Sequence, residues 1–186
     1  MQETGSWEVL TRSDDDYMGF VFGYENSSNF YLFDWKQGTQ GYVGTTAAEG
    51  MTIKKMEGTT GDSLTDLSLA EFWENQNNYG DMTVLAQNHG STMGWEDQTL
   101  YDFHLDFAPG VFSIQVSQGA SVLWDITVND STFTAGQFGF YNYSQEQVRY
   151  AGFEQTGGVP VPEPATMLLL GTGLIGLAGC RRRFKS

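Results

Sequence analysis

The sequence predicts an all-β antiparallel sandwich or jelly roll with one short helix, followed by a hydrophobic C-terminal helix. Three observations carry that expectation. Short runs of aromatic and β-branched residues recur along residues 1–156, turn signals separate them, and the 186-residue chain holds 23 glycines without a fixed-period repeat. Hydrophobic residues make up 40% and aromatics 15%. That is enough apolar surface for a two-sheet core in a body of this size.

Gly19-Phe20-Val21-Phe22-Gly23-Tyr24 and Phe30-Tyr31-Leu32-Phe33-Asp34-Trp35 flank the polar stretch Glu25-Asn26-Ser27-Ser28-Asn29 and predict a hairpin. Leu64, Leu67, Leu69 and Phe72, with Glu71 and Glu74, predict a short amphipathic helix over 64–75. Tyr101, Phe103, Leu105 and Phe107 alternate with Asp102, His104 and Asp106, which is the period of a half-buried strand. Pro109-Gly110 marks a turn. Phe112, Ile114 and Val116 then alternate with Ser113, Gln115 and Ser117, and Val122, Trp124, Ile126 and Val128 with Leu123, Asp125 and Thr127. Two further strands are expected near 138–143 and 148–153, while His89-Gly90-Ser91 reads as a loop.

Acidic residues outnumber basic ones by 23 to 9, for a net charge of −14. Ahead of Val159 the count is 5 basic against 22 acidic, a net −17. Such a body repels phosphate backbones, so nucleic acid is not an expected partner. The single cysteine, Cys180, leaves residues 1–156 without a disulfide or a Cys/His zinc cluster. No phosphate-binding loop, nucleophile elbow or Cys/His pair is present either.

The end of the chain reads differently. Residues 157–164 are a Gly/Pro linker containing Pro162-Glu163-Pro164; residues 165–179 carry no charge; Arg181-Arg182-Arg183 follow. Fifteen apolar residues are fewer than the ~20 of a spanning helix, and the basic end would stay cytoplasmic. This arrangement resembles the PEP-CTERM sorting signal of bacterial exported proteins. The resemblance implies an exosortase-type processing enzyme as partner, transient anchoring in the inner membrane, and an exported protein of the cell envelope, outer surface or extracellular matrix, associated with exopolysaccharide. Residues 1–9 contain no signal peptide, so a chain with an export tail is expected to be truncated at its N-terminus.

Ser13-Asp14-Asp15-Asp16-Tyr17-Met18-Gly19-Phe20-Val21-Phe22-Gly23-Tyr24, Ser27-Ser28-Asn29-Phe30-Tyr31 and Trp35-Lys36-Gln37 resemble the thrombospondin C-terminal domain. The likeness returns at Gly94-Trp95-Glu96-Asp97-Gln98-Thr99, at Gly136-Gln137-Phe138-Gly139-Phe140 and at Ser144-Gln145-Glu146. It implies a concanavalin-A-like, L-type-lectin-like β-sandwich over residues 1–156 that binds calcium and acts in adhesion without catalysis. The family's strand sequence ahead of Trp7 and its calcium-binding repeats have no counterpart in this sequence.

Asp14, Asp15 and Asp16 form a carboxylate run at a strand entry, with Asn26 and Asn29 in the next turn; the three Asp are the expected Ca²⁺ ligands, because hard calcium takes six to eight oxygens. A solvated loop is the plainer reading of the same run. Asp102, His104 and Asp106 on one strand face raise the alternative of a glycoside hydrolase or lyase of concanavalin-like fold, against a merely polar solvent face. Trp95, Tyr141, Tyr143 and Tyr150 would stack on sugar rings if exposed, but aromatics in a sandwich more often pack inside. Asp34 is expected to point outward or to pair with Lys36. The resulting expectation is a non-catalytic, adhesion-like envelope protein that binds calcium and a glycan or protein ligand, acidic exopolysaccharide or surface proteins among them. A structural surface protein with neither metal nor ligand is the third reading.

Overall fold

The computed structural model describes residues 1–156, so the linker at 157–164, the sorting residues Pro162, Glu163, Pro164, Arg181, Arg182 and Arg183, and the expected helix at 165–186 lie outside the described residues. In chain order the strands are β1 (Gln2–Val9), β2 (Tyr17–Asn26), β3 (Asn29–Lys36), β4 (Gln40–Tyr42), β5 (Thr45–Ala47) and β6 (Gly50–Glu57). Two short helices follow, α1 (Ser63–Asp66) and α2 (Leu69–Trp73). The chain continues with β7 (Met82–His89), β8 (Tyr101–Ala108), β9 (Val111–Gln118), β10 (Ser121–Val128), β11 (Gln137–Tyr143) and β12 (Val148–Thr156).

Two five-stranded sheets, ordered β10-β9-β8-β1-β12 and β11-β2-β3-β6-β7, pack face to face, with β4-β5 as a separate hairpin. The expected strands are present, and β1, β4, β5, β6 and β7 add to them. His89 closes strand β7 instead of opening a loop. β1 lies inside its sheet, hydrogen-bonded to β8 on one side and β12 on the other.

Aromatic stacking explains why these sheets meet as they do. Trp7 of β1 lies 5.0 Å from Phe103 of β8, and Phe20 of β2 lies 4.8 Å from Phe33 of β3. Phe20 reaches across to Phe103 at 4.9 Å. Offset aromatic pairs of this kind contribute beyond their area burial. In β9 the inward set is Phe112, Ile114 and Val116, as alternation requires. In β10 a register shift between Val122 and Trp124 breaks the alternation, turning Val122 out to solvent while Trp124, Ile126 and Val128 pack on the core.

The outer face of the second sheet is covered as well. Phe30, Leu32, Met56 and Met82 are buried there against Leu67 and Phe72, and Tyr17 against Trp73 and Ala47. The helix expected over 64–75 is two pieces. Ser68 has extended backbone and caps α2 through Glu71, which receives the Ser68 N–H. The break lets Leu67 and Phe72 both face the sheet.

Candidate functional site

Asp14, Asp15 and Asp16 close the loop that leads from β1 into β2. Each offers a carboxylate oxygen within 4.8 Å of the others; Asp14 and Asp15 are half-buried and Asp16 is buried. The structure therefore brings the expected triad together. It also places a cation beside it. Lys36, at the end of β3 and fully buried, sets its Nζ 2.9 Å from Asp15 Oδ1 and 3.3 Å from Asp16 Oδ1. The same ammonium donates to Asp15 O at 2.5 Å and Gln40 Oε1 at 3.0 Å, and lies 5.2 Å from the centre of the Trp73 ring.

Two of the three carboxylates thus serve an internal ion pair, which is why so crowded a run is tolerated. Asp14 is different. Lys36 pairs with Asp15 and Asp16, whereas Asp14 Oδ2 accepts the Glu146 N–H at 2.7 Å. Asp16 Oδ1 is buried and receives no aligned hydrogen bond. Three carboxylates against one ammonium leave a local excess of two negative charges. A hard divalent cation suits that donor set if water completes the coordination.

Asn26 and Asn29 do not join the triad. Asn26 lies nine positions along β2 from Tyr17, about 30 Å of extended chain. At that far end Asn26 Oδ1 accepts from Asn29 Nδ2 at 2.9 Å and from Ser28 N at 3.1 Å, closing the turn. Asp34 points neither outward nor to Lys36: it is fully buried and pairs with Lys54 of β6, Oδ2 to Nζ 2.7 Å. Nothing in the sequence signalled this, because only the pairing of β3 with β6 brings the two residues together.

His104 and Asp106 do share the outer face of β8, with Nε2 and Oδ2 3.1 Å apart. Asp102 and Asp106 are four strand positions apart, about 13 Å. Trp95 is buried and donates its Nε1–H to Asp16 O at 3.2 Å. Tyr150 stacks on Phe140 at 4.1 Å and donates to Tyr141 O at 2.9 Å. Tyr143 packs against Trp73 at 5.6 Å, and Tyr141 stacks on Phe72. All four aromatics are packing groups. An open polar hollow of about 410 Å³, lined by Gln76, Asn77, Asn78 and the 84–87 segment of β7, offers neutral hydrogen-bonding groups instead.

The sequence profile of the thrombospondin C-terminal region matches residues 1–156. The chain belongs to that family. Within it, chicken thrombospondin-2 is 35% identical over 156 residues, covering 80% of this chain and 13% of the relative. Zebrafish thrombospondin-3b is 31% identical over 166 residues, covering 84% and 18%. The chain spans less than a fifth of the length of these relatives. The thrombospondin C-terminal sandwich is also similar in fold to the carbohydrate-binding module CBM66 from Bacillus subtilis, with a TM-score of 0.52 at 14% identity over 83% of this chain and 74% of that one. Residues 160–183 match the PEP-CTERM protein-sorting motif, which implies exosortase processing, export and sorting to the cell envelope. Among the described residues no helix is long and apolar enough to cross a membrane.

Proposed function

We propose that the thrombospondin C-terminal domain of this chain is a non-catalytic matrix module that binds calcium at Asp14, Asp15 and Asp16 and uses it to hold acidic exopolysaccharide at the cell envelope. The observation that carries the reading is the meeting of the three carboxylates within 4.8 Å on an already acidic body. Of the five basic residues among positions 1–156, Lys36 and Lys54 are fully buried, so little positive surface is left to attract a polyanion directly. A divalent cation shared between protein and polysaccharide carboxylates supplies the missing attraction. The pairing of Asp15 and Asp16 with Lys36 supports a solvent-accessible site in which Asp14 contributes the oxygens that no internal cation claims.

The test is thermal unfolding of the purified protein with calcium and with chelator, at matched ionic strength. A ligand that binds only the native state stabilises by about 2.7 kcal/mol at a hundredfold excess over its dissociation constant. Calcium is expected to raise the midpoint, magnesium to raise it less, and Asp14→Asn to weaken the response without disturbing Lys36. A midpoint indifferent to calcium rejects the metal site. Retention of acidic polysaccharide in chelator rejects the bridge while leaving the metal site standing.

A further inference from the structure

The outer face of the second sheet hides an arrangement that the calcium reading does not use. Lys54 of β6 stands opposite Leu32 of β3, and Asp34 stands opposite Thr52, so Lys54 and Asp34 are diagonal neighbours on one face of adjacent antiparallel strands. The lysine stem spans that diagonal and brings Nζ to 2.7 Å from Asp34 Oδ2. Both side chains are 0% exposed. Neither oxygen of Asp34 receives an aligned hydrogen bond, so the pair is held in contact without the donors that normally stabilise a buried carboxylate. The Tyr17 ring lies 5.0 Å from Nζ, and the Phe72 carbonyl of α2 accepts from it at 2.7 Å. The hydroxyl of Tyr141, held well above its usual range by burial and then by the Asp34 charge, is buried without an aligned hydrogen-bond partner.

We propose that Lys54 and Asp34 condense spontaneously into an intramolecular isopeptide bond that ties β3 to β6.

The chemistry needs no cofactor. The Lys54 ammonium passes a proton to the Asp34 carboxylate across their contact, leaving a neutral amine and a carboxylic acid. The amine lone pair attacks Asp34 Cγ and forms the C–N bond. The Cγ–OH bond then breaks, the nitrogen proton follows the leaving hydroxyl, and one water departs. Burial favours the first step: it pushes the carboxyl up and the ammonium down, against the attraction between them. It also favours the product, since two costly buried charges become one neutral amide. The amide N–H keeps the Phe72 carbonyl as its acceptor. Residues 1–156 contain no cysteine, so such a bond would give an exported sandwich a covalent staple that no reductant opens. The inference is independent of calcium and polysaccharide binding.

Mass spectrometry of the full chain, intact and after proteolysis, tests it. The expected result is a polypeptide lighter than its sequence by one water, with a branched fragment joining the Lys54 and Asp34 peptides. Lys54→Arg and Asp34→Ala should each restore the unmodified mass, whether or not those variants fold well. Wild-type protein that unfolds cooperatively and carries its full sequence mass overturns the proposal. A lost water that maps elsewhere in the chain overturns it equally.

Discussion

At the scale of single residues, hydrogen bonding and close backbone approach decide more than residue type. Asp130 shows the first. Burial works against its ionisation, but the Tyr31 hydroxyl at 2.6 Å, the Thr132 N–H at 2.8 Å and the Lys55 ammonium outweigh it and bring the carboxyl down to about 2. Because the folded-state value lies below that of the unfolded chain, the stabilisation is complete above about pH 4 and is lost as pH falls toward 2. Asp130→Asn should therefore lower the thermal midpoint at pH 7, and the gap to the parent should narrow steadily as pH falls from about 4 through 2. A gap of constant size across that range would show that the carboxylate charge is not what holds Tyr31 and Lys55 together. Gly19 shows the second. A Cβ there would sit 2.0 Å from Phe33 O and 3.0 Å from Asp34 Cα, where only movement of β3 could make room. At Gly139 the nearest atom is Val21 Cγ2 at 3.5 Å, an ordinary contact. Denaturant titration should find Gly19→Ala destabilised by about 1–3 kcal/mol or more and Gly139→Ala close to the parent.

At the scale of elements, the outer cover of the second sheet is the part whose stability is borrowed. α2 has five residues, too few to persist alone, since isolated helices below ~12 residues are marginal in water. Packing holds it. Trp73 meets Tyr17 edge-on at 5.5 Å, Tyr42 at 5.2 Å and Tyr143 at 5.6 Å, while its carbonyl accepts the Tyr17 hydroxyl at 2.6 Å. Trp73→Ala should cost about 3–5 kcal/mol, and hydrogen exchange should speed up in α2 and β5 before the core strands β8 and β9. Uniform acceleration would instead place α2 in the global unfolding unit. The same cover explains what the sequence concealed. Alternation revealed β8 and β9 because each has one wet face. β6 has none: Met51 and Ile53 face the inner core, and Thr52, Lys54 and Met56 are buried beneath the cover. Without a wet face it shows no alternation for the sequence to reveal. The acidic triad was legible because Asp14, Asp15 and Asp16 are adjacent in sequence. Their partner Lys36 was not, because only the pairing of Tyr17 with Lys36 brings it to them.

At the scale of the whole molecule, the charge is almost one-sided. Residues 1–156 carry 22 acidic and 5 basic side chains. Lys36 and Lys54 are consumed internally, Lys55 is largely enclosed with Asp130 and Glu57, and Arg149 is paired with Glu8. Most of the acidic groups therefore see no nearby cation and repel one another across the surface. That repulsion lowers stability, since a net charge far from zero disfavours the compact state. It acts over distances that salt controls, because the Debye length falls from ~30 Å at 0.01 M to ~10 Å at 0.1 M and ~3 Å at 1 M. Added sodium chloride should raise the thermal midpoint steeply up to about 0.1 M and only weakly beyond, as screening first removes the long-range part. The buried Asp34–Lys54 pair, shielded from ions, contributes little to this dependence. A midpoint that falls with salt would mean that attractive surface pairs dominate. One that rises with calcium at fixed ionic strength, beyond the sodium chloride curve, separates a specific metal site from this general relief of acidic crowding.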